Sequence, residues 1–516
     1  MSTQTPSVEQ HVAAWLATYD VADADVAHLV CDRHDPTAVA FTYIDADLGS
    51  EDVTYGQLTE RSRRLATVLA EHGVREGDRV PVLMGKRREL VETLLAIWRL
   101  GAVQVPLFTA FATGAIEMRV EGSAAKLVVT EASQRSKLDP IAGIEVLEVG
   151  HDLDERIDAA AALEQNVAVG GRGTMLQLFT SGTTGRPKGV PVPARALAAF
   201  HCYVHYTLDV AEDDVFWNAA DPGWAYGLYY GILGPMVTGR RSLQFMAGFS
   251  VESTVAVLKE FGVTNFAAAP TVYRTLSKSD LVTGIDLRRA SSAGEPLTPD
   301  VVSWAQTALG TEVRDHYGQT ELGMVINNNW HPDIAQPVRA GSMGQPMPGY
   351  SAGIVGGQIA IDVENSPLLW FTGYHDAPVK TAERFTEDGR WYLTADTGKV
   401  DGDGFYYFTA RDDDVILAAG YRIGPFDVES VLITHPDVVD VAVVGRPDPE
   451  GIRGEVVEAF VVLADGADET EDLRADMQTF VREQYSKHAY PRAVHFVESL
   501  PKTPSGKVQR YLLRQS

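Results

Sequence analysis

Apolar residues in the first 150 positions recur at two alternating spacings. From Thr54 to His72 (TYGQLTERSRRLATVLAEH) Leu58, Leu65, Ala66 and Leu69 fall on one face of a helix, and charged residues take the other. Thr54 and Gln57 stand at capping-box spacing, each side chain able to accept from the other's backbone N–H, and Gly73 supplies the stop. The short apolar run Arg79 to Met84 reads as a strand. Glu89 to Leu100 repeats the helical spacing and ends at Gly101. Val103 to Leu107, Lys126 to Val129 and Ile144 to Val149 read as further strands. Strand and helix spacings in alternation predict α/β units around a largely parallel sheet.

The texture then changes twice. Ala340 to Trp391 is rich in Gly and Pro, with short β runs such as Gly357 to Val363, and predicts a small β subdomain. From Arg411 onward come short strands (Val438 to Val444, Val456 to Leu463), one helix (Glu471 to Tyr485) and a basic tail. The expected architecture is α/β. A large N-terminal domain, residues 1–412, consists of β/α subdomains with a small β-barrel-like subdomain. A small mobile α+β C-terminal domain, residues 413–516, follows, with the boundary at Asp412–Asp414.

Composition narrows the function. The 516 residues are 45% hydrophobic and 22% charged, which excludes a disordered or fibrous chain. The formal charge of −26 argues against non-specific nucleic-acid binding and against anionic membrane surfaces, but not against a nucleotide held by a few local cations. Cys31 and Cys202 are too few for a disulfide framework or a Cys-rich zinc site, and a reducing, cytoplasmic location is expected. The longest apolar region, Leu94 to Phe111, is interrupted by Arg99, Gly101, Gln104 and Pro106, so no membrane span is expected. The N-terminus lacks the charged-then-apolar layout of a secretory signal, and the C-terminal YLLRQS carries no lipidation signal.

The most informative segment is Leu176–Val190, LQLFTSGTTGRPKGV. An apolar strand runs into Thr180, Ser181, Gly182, Thr183, Thr184 and Gly185, then Arg186, Pro187 and Lys188. Glycines let the backbone approach an anion, hydroxyls and N–H groups donate to phosphate oxygens, and Lys188 adds a point charge. The spacing is not that of a P-loop. A solvated polar turn is the bland alternative, but a run of hydroxyl and glycine residues followed by two cations favours phosphate.

This segment resembles the phosphate-binding signature of the adenylate-forming superfamily, which includes acyl-CoA synthetases, luciferases and peptide adenylation domains. Other superfamily motifs follow in order over roughly residues 50 to 514. They are Ser292–Leu297 (SAGEPL), Asp315–Glu321 (DHYGQTE), Trp391–Gly398 (WYLTADTG), Arg411–Asp414 with Gly420–Ile423 (GYRI), and Leu500–Lys507 (LPKTPSGK). The resemblance implies an acid activated by attack on the α-phosphate of ATP, with Mg²⁺, followed by transfer to a thiol. It implies that Lys188 and the Thr180–Thr184 loop hold the β- and γ-phosphates, Thr320 donates to the α-phosphate, and Glu321 ligates Mg²⁺. Gly294, Glu295 and Pro296 would border the adenine, Tyr317 would stack on it, and Asp315, His316 and Gln319 would belong to the same nucleotide site. Asp396 and Arg411 would hold the ribose, and Arg422 a phosphate. Lys507 would be the catalytic cation, Asp413 the hinge, and Gly420 and Tyr421 part of the coenzyme A passage. Ala410 departs from the glycine usual before the hinge arginine.

By the same resemblance, the acid pocket comprises the segment from Asp221 to Gly227, with Trp224, Tyr226 and Gly227, together with Gly318. Dedicated acetyl-CoA synthetases carry tryptophan at the last position. Gly318 in its place implies an acid larger than acetate: medium-chain, branched or aromatic. Asp221-Pro222 replaces the Phe-Asp of peptide adenylation domains, so free coenzyme A is the expected acceptor. An enzyme loading a separate carrier protein is the alternative, a luciferase-like oxygenase a distant one, and a non-catalytic nucleotide-binding regulator the reading from another class. A homodimer, and an acetyltransferase and deacetylase acting on Lys507, are further expected partners.

Overall fold

A computed structural model describes residues 6–180, 187–295, 297, 299–411, 414–418, 421–449, 455–485, 489–502 and 507–516, without the side chains of 299, 300, 421 and 422. The capping box forms as read: Thr54 accepts from the Gln57 N–H, Gln57 accepts from the Thr54 N–H, and the helix runs Tyr55–Glu71. Its buried side includes Leu58, Leu65, Ala66 and Leu69, which lie against the core. Each such leucine contributes about 1.5–3 kcal/mol by leaving water. The strands Arg79–Leu83, Val103–Pro106, Leu127–Glu131 and Glu145–Val149 and the helix Arg88–Arg99 lie where the apolar runs put them, within a few residues.

Those strands build one of two large sheets. It is six-stranded, in the order 145–149, 127–131, 79–83, 103–106, 174–180, 188–193. All neighbours are parallel except the last pair, which is antiparallel. The second sheet is nine-stranded, in the order 345–346, 323–327, 313–319, 289–293, 265–268, 216–218, 242–245, 39–44, 50–54. Its centre is parallel and its edge pairs are antiparallel. Beneath the first sheet, Arg99 is fully buried and forks onto Asp32, with both hydrogen bonds at 2.7 Å.

The Gly/Pro-rich region forms a four-stranded antiparallel sheet, 352–355, 358–362, 391–400 and 406–411. It extends past Trp391, and its outer strands do not pair among the described residues, so it is an open sheet rather than a barrel. After Arg411 come a two-stranded ribbon (416–418, 421–423) and a three-stranded sheet (438–447, 455–463, 493–496). The helices Pro425–Leu432, Glu471–Gln484 and Arg510–Gln515 complete this smaller unit, which has its own apolar core around Val428, Val443, Val461 and Met477. The larger unit with parallel sheets and the smaller unit give the two-part α/β architecture expected. Among the described residues no helix is long and apolar enough to cross a membrane.

Candidate active site

The segment DHYGQTE ends the strand Val313–Gln319 and turns back into Gly323–Asn327. Gln319 pairs with Gly323, so Thr320, Glu321 and Leu322 make a three-residue hairpin loop. Gly323, the first residue after the loop, has φ +69°, a left-handed conformation that favours glycine. Glu321 therefore sits in a tight turn and is buried. The Tyr229 hydroxyl donates to the Thr320 carbonyl at 3.0 Å and pins the turn from below.

Two clusters converge on this hairpin. In the first, Asp396 lies opposite Arg411 across neighbouring strands. Ala395 before it has φ +60°, a strained conformation for alanine that redirects the strand at this point. Asp396 Oδ2 accepts from Tyr317 Oη at 2.6 Å and from Gln319 Nε2 at 2.7 Å. Gln319 is itself held: its Nε2 donates to the Thr394 carbonyl at 2.8 Å, and its Oε1 accepts from Tyr392 at 3.1 Å. Oδ1 of Asp396 lies 3.1 Å from Arg411 Nε but off the line of its N–H. This buried oxygen accepts no hydrogen bond among the described residues.

In the second cluster, Glu321 Oε1 accepts from Tyr374 Oη at 2.7 Å, and Arg384 Nε donates to the same hydroxyl at 3.0 Å. The Lys188 ammonium sits 5.0 Å over the Tyr374 ring. Burial lowers the Lys188 pKa, and the charges of Arg384 and Lys380 lower it further, against the pull of Glu321 and Glu383. Lys188 and Arg384 thus stand by the Glu321 carboxylate, with Lys380, itself paired to Glu383 at 2.9 Å, close to Lys188, an arrangement suited to a polyanion. Tyr374 and Arg384 are absent from the sequence reading because they come from a Gly/Pro-rich stretch with no periodic signal.

The smaller unit delivers Lys507 to the first cluster. Part of the residue is exposed, but protein crowds its ammonium and lowers its pKa. Glu295 and Asp396 oppose that shift, and Arg411 adds to it. Glu295 is paired with Arg274 at 2.8 Å. Gly294, at φ +107°, turns the chain out of the strand Arg289–Ala293, with open space where a Cβ would stand. Asp315 accepts from the Leu297 N–H at 3.4 Å, and burial pushes its carboxyl up to about 8.

His316 is placed differently from the others. Its ring is buried, with Nδ1 bound to Tyr203 at 2.7 Å and Nε2 to the Asn328 carbonyl at 3.3 Å. Both ring nitrogens are occupied, so only its backbone is left to meet a nucleotide. Thr180 pairs with Lys188 across antiparallel strands, which fixes both ends of the 181–187 segment opposite each other. Ser181, Gly182, Thr183, Thr184, Pro296, Asp413 and Gly420 lie outside the described residues, as do the side chains of Tyr421 and Arg422, whose backbones belong to the strand 421–423.

In the segment expected to wall the acid pocket, Trp224 packs on Phe108 and Phe111, with ring centroids 5.3 and 5.4 Å apart. The Tyr226 hydroxyl meets that of Tyr203 at 3.1 Å. Gly227 is required by packing: a Cβ there would lie 2.2 Å from the Asp221 carbonyl oxygen. Gly318 corrects the sequence reading. A Cβ at this position would lie 2.0 Å from the Gly323 oxygen and 2.7 Å from the Met324 Cα. Strand pairing in this backbone is enough to account for the glycine, so the missing indole is not by itself a measure of acid size.

The donor set fits a nucleotide. The orphaned Asp396 oxygen is a buried acceptor that a ribose hydroxyl would satisfy. The sequence pattern of the AMP-binding enzyme family matches residues 30–364, and that of the AMP-binding enzyme C-terminal domain matches residues 427–507. The chain belongs to the AMP-binding enzyme family, and within it to the AMP-forming acyl-CoA synthetases. It is 34% identical to an acetyl-coenzyme A synthetase of Bacillus subtilis (strain 168) over 95% of this chain and 90% of that one. A crystal structure of a Brucella canis acyl-CoA synthetase superposes with a TM-score of 0.76 at 43% identity, covering 98% of this chain and 96% of the other. A benzoate CoA ligase from Burkholderia xenovorans LB400 superposes with a TM-score of 0.83 at 28% identity, covering 95% and 99%.

Proposed function

We propose that this AMP-forming ligase joins a carboxylic acid larger than acetate to free coenzyme A. The observation that carries the activation chemistry is the meeting of Lys507, from the smaller unit, with Asp396, Arg411 and Glu295 of the larger one. A carboxylate is a poor electrophile. Attack on the α-phosphate of ATP expels pyrophosphate and leaves AMP as a good leaving group, which the thiol then displaces. The protein's work is positioning and charge neutralisation.

In this reading Asp396 accepts from the ribose hydroxyls, using the oxygen that Tyr317 and Gln319 leave open. Lys188, with Arg384 beside it, and the residues Thr180–Thr184 hold the departing pyrophosphate. Thr320 donates to the α-phosphate. Lys507 bridges the acid and the α-phosphate as their bond forms. Glu321 would hold Mg²⁺, which when bound supplies charge neutralisation at the phosphates. One carboxylate is enough, because Mg²⁺ keeps waters and takes its other ligands from the nucleotide. The smaller unit would pivot near Asp413, withdrawing the lysine of the first step so that the thiol can reach the adenylate in the second.

Support for the larger acid comes from the aromatic side chains of Trp224 and Tyr226 in the 221–227 segment and from the likeness to a benzoate CoA ligase. Pyrophosphate release measured over acetate, butyrate, hexanoate and benzoate, with and without coenzyme A, tests this. Acetate giving the highest kcat/KM would refute the assignment of size. Adenylate formation with no coenzyme A product would move the acceptor to a carrier protein.

A further inference from the structure

The hydrogen-bond chain behind Tyr226 has a fixed direction. At its inner end is the Asn328 carbonyl, 3.3 Å from His316 Nε2. A carbonyl oxygen only accepts, so Nε2 carries the proton. Burial holds this ring neutral, its pKa pushed down to about 3. A neutral imidazole with its proton on Nε2 accepts at Nδ1. The Tyr203 hydroxyl, 2.7 Å away, must therefore donate to it. That uses the only proton on Tyr203, which can then meet the Tyr226 hydroxyl, at 3.1 Å, only by accepting. Tyr226 in turn spends its only proton on Tyr203. Tyr203 is fully buried, whereas Tyr226 is only partly buried.

We infer that Tyr226 offers the acid pocket a hydrogen-bond acceptor and no donor, and so selects acids whose acyl group carries a hydroxyl or amino hydrogen over unsubstituted acids and over their methyl ethers. The inference rests on the reading of the 221–227 segment as the wall of the acid pocket. No single residue type signals it. The direction is set by one backbone carbonyl and handed along three side chains. Of these, His316 was read from the sequence as part of the nucleotide site and Tyr226 as part of the acid pocket, and Tyr203 was not singled out.

The test is acid-dependent pyrophosphate release with matched sets: benzoate with its hydroxy, amino and methoxy derivatives at each ring position, and butyrate with 3-hydroxybutyrate and 3-methoxybutyrate. Wild-type enzyme should favour one donor-bearing acid by about tenfold or more in kcat/KM over both its unsubstituted parent and its ether, the cost of leaving a partly buried acceptor unmet. Tyr226→Phe should bring that ratio close to one. Tyr203→Phe, which need not touch the acid, should raise the ether relative to the hydroxy acid, because Tyr226 is then free to donate. A structural defect would lower all acids together and leave these ratios alone. Equal or better use of the unsubstituted acid and the ether by wild type, or a ratio unchanged in Tyr226→Phe, would overturn the inference while the ligase reading stands. Pyrophosphate release with no acid of the panel would overturn the ligase reading itself.

Discussion

Replacing Gln319 by alanine isolates the part of the site that depends on held geometry. Asp396 is only 4% exposed, and its Oδ2 has two donors, Tyr317 at 2.6 Å and Gln319 at 2.7 Å. Gln319 also ties the carboxylate to the strand behind it through the Thr394 carbonyl and Tyr392. The substitution removes one hydrogen bond to a buried charge, worth about 1.5–3 kcal/mol. If the carboxylate orients the ribose, that loss appears as about a tenfold to hundredfold weaker affinity for nucleotide. Calorimetric titration with AMP reads it directly, and the KM for ATP should rise in parallel. Tyr317→Phe should cost a similar amount. The double variant should cost less than the sum, since both donors serve one oxygen. An AMP affinity within twofold of wild type in a folded Gln319→Ala enzyme would refute the idea that this network positions a nucleotide-binding carboxylate.

Lys507→Ala should abolish acid-dependent pyrophosphate release while leaving the melting temperature unchanged, because its removal opens no core; normal release would remove the lysine from the first step. Arg99→Met should destabilise the protein by about 3–5 kcal/mol in urea unfolding, since it strands Asp32 beneath the sheet. Burial alone would raise the Asp32 carboxyl, but Arg99, Thr59 and Asn166 hold it below its ordinary 3.8. The stabilisation is therefore complete above that value and fades as pH falls through the lower folded one, so the gap between wild type and variant should narrow in acid. A gap independent of pH would contradict the pairing. Asp315→Asn should behave in the opposite sense. The raised carboxyl costs stability progressively from about pH 4 to about pH 8, as the unfolded chain ionises and the folded one does not. The ligand-free variant should thus melt higher than wild type at pH 8 and match it near pH 4; no such divergence would mean that Asp315 is ionised in place.

The sequence made the helix at 55–71 and the strands of the first sheet legible because local spacing and a capping box decide them. The hairpin carrying Thr320 and Glu321 was visible as a motif but not as a shape: the left-handed Gly323 that closes it looks like any other glycine. Gly318 misled for a related reason. A glycine in sequence is silent about whether it leaves space for a ligand or for a neighbouring strand, and here the approach of Gly323 is enough to account for it. Tyr374, Arg384 and Tyr203 went unread because their importance comes from contacts across 53, 10 and 113 residues of separation, which no local pattern encodes. Gln319 was placed in the nucleotide site, yet its grip on Asp396 emerges only when two distant strands meet.

Acid-dependent exchange of labelled pyrophosphate into ATP, followed by product analysis once coenzyme A is added, tests the adenylation chemistry most directly. The geometry around Lys507, Asp396 and Glu321 predicts exchange without coenzyme A, and with it one AMP and one pyrophosphate for each thioester formed. ADP and phosphate as products, or no exchange with any acid, would contradict it.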